Sequence, residues 1–273
     1  MERYYPALGK LYSQCVAFDT GLWERTPDSD MFLGIRMGSG QVRLPYTIEV
    51  PQLRMGEQPA GYKKAPYDLE NKYNKLYNGP VVVNLLKDSP LGIVAEDTEA
   101  ALAPLLLQLA ALHSPNELKI AVIGKDGHDE VWRFLHALPH VSAGPGSHMV
   151  ACGYADCGEL LSNLNEVLTC RAADGNTDAV KGPHYVVIFE DASYTRSHVL
   201  YSNILLSSRG FSVCVCGSRE TDLPRECRWV FNAGENRLYD YINRAAVEIE
   251  SERIDLEKTR EAIRHLCVIR EQQ

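Results

Sequence analysis

From Leu91 onward, short and strongly apolar runs alternate with longer segments of helical pattern, and this alternation restricts the possible folds more than any other feature. LGIVA (91–95), LKIAVIG (118–124), HYVVIFE (184–190) and FSVCVCG (211–217) are almost wholly apolar or β-branched. Strands of that character are covered on both faces, as parallel strands are. Between them lie 97–112, DEVWRFLHAL (129–138), ELLSNLNEVL (159–168) and HVLYSNILLSS (198–208), with apolar residues three and four apart. HMVAC (148–152) adds a short strand. Alternating β and α elements joined by short links give an α/β fold with a doubly wound, mostly parallel sheet.

The first part of the chain is patterned differently. Residues 1–25 are aromatic-rich and weakly helical, and read as a linker segment that packs on a body. MFLGIRMGSG and QVRLPYTIEV (31–50) are expected to form a β-hairpin appendage turning at Gly38-Ser39-Gly40. Pro- and Gly-rich residues 51–66 read as a loop, 67–77 as a short helix and Val81 to Leu86 as a strand. The charged stretch from 236 reads as a helix or helix pair. The expected organisation is therefore 1–25 linker, 26–235 body and 236–273 C-terminal helical segment.

The formal net charge of −8 and the absence of a dense basic run oppose a surface that tracks nucleic acid, since such binding rests on Lys and Arg against phosphates. No apolar run reaches the length of a membrane span, and 100–112 is interrupted by Pro104 and Gln108, so a soluble chain with no leader segment is expected. The eight cysteines form no C-x-x-C pair. Cys214 and Cys216 share one face of a strand, as buried thiols or alternatively as a metal pair.

Two places could carry chemistry, because ligands of open parallel sheets bind beyond the carboxyl ends of the strands. The turn after LGIVA runs Ala95-Glu96-Asp97-Thr98-Glu99. It has no glycine or lysine, and its carboxylates suit the helix N-terminus themselves while repelling a triphosphate. Glu190 and Asp191 leave the strand HYVVIFE where a magnesium-holding acid could stand, although such residues also make ordinary turns. His136 and His140, four apart, are parted by the helix-breaking Pro139, and His113 suits a helix C-terminus. Ser147-His148 and Asp126-Gly127-His128 show no triad signature. Neither a catalytic constellation nor a metal site is expected.

Residues 91–141 resemble the nucleotide-binding core of FtsK/SpoIIIE ATPases, through the leucines 105–109, His113-Ser114-Pro115 and Leu138-Pro139-His140. GPHYVVIFED resembles that family's Walker B strand, with the acids in swapped order. Leu22-Trp23-Glu24-Arg25, Phe32 to Gly38, Val81 to Leu86 and Leu223 to Arg228 extend the resemblance to the EssC/EccC ATPases of type VII secretion, and within them to the divergent membrane-proximal module. The resemblance implies a P-loop/RecA-like ATPase fold and a membrane-anchored parent with further ATPase modules and membrane components as partners, this domain lying on the cytoplasmic side. It puts Thr98 at the position of the P-loop lysine and Glu99 at that of the Ser/Thr, so the nucleotide site does not carry over. The expected function is a non-hydrolysing structural and coupling module without cofactor. The alternatives are an unconventional hydrolase of ATP-magnesium using Glu190 and Asp191, and a DNA translocase fragment, which the charge opposes.

Overall fold

A computed structural model describes residues 3–43, 49–52, 56, 58, 60–144, 146–173, 182–193, 199–206, 209–252 and 254–268. The strands are β1 (Gly34–Arg43), β2 (Lys75–Asn84), β3 (Leu91–Val94), β4 (Leu118–Gly124), β5 (Ser142–Gly144), β6 (Ser147–His148), β7 (Val150–Cys152), β8 (His184–Phe189), β9 (Phe211–Gly217), β10 (Trp229–Asn232), β11 (Arg237–Asp240) and β12 (Ala245–Glu250). Helices α1 (Leu8–Ala17), α2 (Ala65–Tyr73), α3 (Leu85–Asp88), α4 (Thr98–Leu112), α5 (Asp129–Trp132) and α6 (Tyr154–Ala173) are followed by Val199–Leu205 and a C-terminal helix, Leu256–Val268.

Ten strands form one sheet in the order β2-β1-β12-β11-β10-β3-β9-β8-β4-β7. The half from β10 to β7 is parallel, as the apolar runs require, and the half from β11 to β2 is antiparallel. Period-two alternation sends successive residues of the parallel strands to opposite layers. Ile120, Val122, Val186, Ile188, Cys214 and Cys216 face α1, α4 and the C-terminal helix. Ala121, Ile123, Val187, Phe189, Val213 and Val215 face α6 and the helix Val199–Leu205. Cys214 and Cys216 thus share a face, fully buried as free thiols.

Helix α4 is the hub of the first layer. It is apolar around its whole circumference because the sheet, β1, α1 and the C-terminal helix enclose it. Its one buried polar side chain beyond the first turn, Gln108, replaces a strand neighbour. The Arg36 N–H donates to Gln108 Oε1 at 2.8 Å, and Gln108 Nε2 donates to the Arg36 carbonyl at 3.0 Å. The chain ahead of β1 satisfies the last carbonyls of α4. Trp23 donates from N–H to Ala111 O and from Nε1–H to Ala110 O, and Arg25 N–H donates to Leu112 O. The Arg25 guanidinium, buried, then donates to the Gly34 and Tyr4 carbonyls. His113 at the helix end accepts the Leu33 N–H on Nε2 at 3.1 Å, which leaves Nδ1 to donate to Leu109 O at 3.1 Å. His140 Nε2 reaches the His113 carbonyl at 2.8 Å.

Several sequence expectations are corrected. Gly38-Ser39-Gly40 is not a turn: it lies inside β1, which pairs with β2 across bulges and with β12 on its other edge. A Cβ at Gly38 would lie 2.4 Å from Glu250 O and one at Gly40 2.6 Å from Glu248 O, so the glycines admit β12. Of the second half of the expected hairpin, 41–43 continue β1 and 44–48 lie outside the described residues. The antiparallel N-terminal pair is therefore β1 with β2. Residues 237–250 are strands rather than helix. Leu238 and Ile249 point inward while Glu248 and Glu250 face out, and the Asp240 carboxylate accepts the N–H groups of Ile242 and Asn243 to close the turn between β11 and β12. Only the last stretch is helical. DEVWRFLHAL makes one α turn followed by a 3-10 turn, and the helix expected at 198–208 is described over Val199–Leu205. Residues 67–77 hold most of α2 and the start of β2, and Leu85-Leu86 open α3.

Two outcomes follow from this packing. Gln108→Leu strands the buried Arg36 N–H and carbonyl without partners, and is expected to lower the unfolding free energy by about 2–4 kcal/mol in urea titration. Burial pushes His113 down to about 3, and His140 and His184 to about 4. The unfolded chain therefore binds protons below its ordinary histidine value of 6.5 that the folded chain refuses. Stability falls as pH drops from 6.5 toward 4, by up to about 1.4 kcal/mol per pH unit for each histidine. A urea midpoint at pH 5 equal to that at pH 7 would contradict this.

Candidate functional site

The carboxyl ends of β3, β4 and β8 bring together groups that lie far apart in the sequence. Glu190, the residue after β8, is fully buried and its carboxylate accepts four hydrogen bonds. The Lys125 backbone N–H and Trp132 Nε1–H donate to Oε2, each at 2.8 Å. His128 Nδ1–H donates to Oε1 at 2.8 Å and Thr98 Oγ1–H donates to the same oxygen at 3.0 Å. An ionised carboxylate offers about four acceptor positions, so the donors use its capacity. Burial raises the Glu190 pKa, but the N–H groups of Lys125, Trp132 and His128 outweigh it and hold the carboxyl below its ordinary range.

Local sequence explains how these donors arrive. The β4 strand lies beside β8, so the chain leaving β4 passes directly over Glu190. Gly124 permits that passage, since a Cβ there would sit 2.4 Å from Cys152 Sγ and 3.0 Å from Trp132 Cδ1. Gly127, at φ 78°, then turns the loop so that His128 and α5 return to the carboxylate. Lys125 extends its ammonium to Thr98, with Nζ 3.4 Å from Oγ1.

The turn at 95–99 opens α4 as expected. Asp97 caps the helix, its Oδ1 accepting the Ala100 N–H at 3.0 Å, and Glu99 pairs with Arg260 of the C-terminal helix at 2.9 Å. Ala95 is buried and Glu96 is exposed. Asp191 turns outward, accepting the Ser193 N–H at 2.7 Å. A cavity of about 690 Å³ opens on the other flank of α4, between this turn, β1, the end of β10 and the chain after β12.

Glu190 and Thr98 meet, whereas the histidine pairs separate. His136 stacks on His148 with ring centroids 4.8 Å apart, while His140 is buried against the His113 carbonyl. Among the described residues no group of His, Cys, Asp and Glu is arranged to hold a metal ion. Sequence reading missed Lys125, His128 and Trp132 as partners of Glu190. The available signal was the polar, glycine-bearing GKDGHDE run directly after an apolar strand.

The sheet has a six-stranded parallel half, an acid ending one strand meets the first helical residue after another, and the fold is α/β of P-loop-like type. No family model matches the chain. It is 23% identical over 252 residues to the ESX secretion system protein EccC of Geobacillus thermodenitrificans, covering 90% of this chain and 16% of that protein. It is 30% identical over 183 residues to the ESX-3 secretion system protein EccC3 of Mycobacterium tuberculosis, covering 63% of this chain and 13% of that protein. The fold covers 92% of this chain and 52% of the solved EssC ATPases 2 and 3 of Geobacillus thermodenitrificans, with a TM-score of 0.57 at 11% identity. Against the cytoplasmic domain of the type VII secretion ATPase EccC of Thermomonospora curvata the TM-score is 0.56 at 12% identity, covering 92% of this chain and 32% of that one. In sequence and in fold alike, the chain is similar to an ATPase domain of the EccC/EssC secretion proteins, and it spans about a sixth or less of the curated relatives' length.

Glu190→Ala leaves four donors facing an empty, buried position, and is expected to cost about 3–5 kcal/mol of stability. The depressed pKa means that Glu190 stabilises the fold above the ordinary carboxylate range and loses that contribution as pH falls through its folded value. Wild-type protein should therefore lose stability below about pH 4 more steeply than the variant, as read by urea midpoints.

Proposed function

We propose that this chain is a non-hydrolysing, ATPase-like coupling module of a type VII secretion ATPase of the EccC/EssC kind, corresponding to its divergent membrane-proximal domain. In that role it relays conformational change between a membrane anchor and downstream ATPase modules, on the cytoplasmic side of the membrane, through its surfaces. The observation that carries the reading is the occupancy of Glu190. Its acceptor positions are taken by Thr98, Lys125, His128 and Trp132, which leaves little of the carboxylate to orient magnesium or water. The β3–α4 turn supports the same conclusion. Phosphate binding at a helix N-terminus needs free N–H groups and an uncrowded positive dipole end. Here Asp97 takes the Ala100 N–H, and the exposed Glu96 adds negative charge beside it. These residues do not fit a magnesium triphosphate.

One observation favours the second reading, a hydrolase with an unconventional site. Lys125 places an ammonium beside Thr98, near the position a P-loop lysine would serve. Calorimetric titration of ATP-magnesium, with steady-state hydrolysis on the same protein, separates the two. The expected outcome is no heat and no turnover. Micromolar binding with turnover that Lys125→Ala abolishes would establish the hydrolase.

A further inference from the structure

The segment 61–77 gathers several large exposed apolar side chains. It comprises a 3-10 turn, α2 and the first residues of β2, and none of its described side chains is buried. Among the described residues, helix α2 makes its main contacts with that turn and with the edge strand β2. Its apolar side chains are nevertheless large. Tyr62 is 87% exposed, Tyr77 66%, Leu69 51% and Tyr73 48%. Leu69 and Tyr73 stand four apart on one helical stripe, and Tyr62 lies in the 3-10 turn that precedes the helix. The segment carries Lys63, Lys64, Lys72 and Lys75 against Asp68 and Glu70, so it is basic in a chain whose net charge is −8. Exposed aromatic residues gathered on one segment characterise a recognition surface more than a solvated face.

The cavity beside α4 has the complementary character. Its walls are apolar, formed by Ile35, Ile93, Leu105 and Phe231, and its mouth carries Glu96, Asp97 and Glu235. Among the described residues the one basic side chain lining it, Arg36, is paired with Glu252. An occupant that fits must bring an apolar or aromatic group and cationic side chains for the mouth. A tyrosine among lysines meets both.

We infer that the basic tyrosine-bearing segment 61–77 of one copy docks into the acid-mouthed cavity beside α4 of a second copy, in a head-to-tail contact. Complementary charge selects this occupant over an arm-to-arm contact, which would oppose lysines to lysines. Because the two surfaces differ, each copy in the contact retains one free arm or one free cavity, and association extends or closes into a ring. The inference does not depend on whether the domain hydrolyses nucleotide.

Two variants test it on exposed positions away from the core: an arm variant, Lys63→Glu/Lys64→Glu/Lys72→Glu, and a cavity variant, Glu96→Lys/Glu235→Lys. Sedimentation velocity of the wild-type chain is expected to show concentration-dependent association at low salt. Each variant alone should weaken it by about tenfold or more. Mixed together, the two should form a 1:1 pair, because one intact arm and one intact cavity remain. Thermal unfolding confirms that both variants are folded. Association that survives in the cavity variant, or a mixture that stays monomeric, would overturn the proposal. So would a wild-type chain that is monomeric throughout while binding anionic vesicles through the lysines of 61–77, which would assign the arm to a lipid surface.

Discussion

A carboxylate removed from water must be paid for in hydrogen bonds, and in this domain that requirement organises the end of the sheet where function would lie. Glu190 ends β8, yet the groups that satisfy it come from the first residue of α4, the residue after β4, the following loop and α5. Removing any one of them leaves part of a buried charge uncompensated. The carboxylate therefore fixes where α4 begins relative to β8 and how the chain leaves β4. It also explains residues that otherwise look incidental, such as Gly124, which lets the chain pass, and Trp132, fully buried with its indole N–H aimed at Oε2. On the coupling reading, the same network converts a nucleotide site into a rigid joint between strands. A neighbouring module pushing on α4 would then act on β4 and β8 together.

The second organising feature is the attachment of the N-terminal segment to the far end of α4. The residues that carry the family resemblance in the sequence, Trp23, Arg25, His113 and His140, have structural work here. They satisfy helix-end carbonyls and join the segment before β1 to α4 and the turn after α5. The two ends of α4 are thus held differently: one by a buried charge with its donors, the other by neutral histidines whose burial disfavours protonation.

The parallel half of the sheet was legible because a strand buried on both faces needs apolar residues at every position, and LKIAVIG or FSVCVCG have few other options. The antiparallel half was not. AAVEIE and RLYD carry charge on one face, and over so few residues period two and period 3.6 fit almost equally well. Gly38 and Gly40 read as a turn because glycine frees the backbone, whereas here it makes room for β12. The candidate site divides in the same way. Glu190, Asp97 and Thr98 stood out at strand and helix ends, but Lys125, His128 and Trp132 gained meaning only from the adjacency of β4 and β8.

The sequence by itself determined the alternating α/β order, the residues of the parallel core, and the absence of a glycine- and lysine-bearing loop after β3, since these depend on periodicity and residue type within short windows. Tertiary structure alone decided which strands are neighbours, that 237–250 extend the sheet, and that Glu190 is enclosed by donors. Those outcomes depend on hydrogen bonds and close approaches between residues tens of positions apart, and no local pattern encodes the partner at the other end.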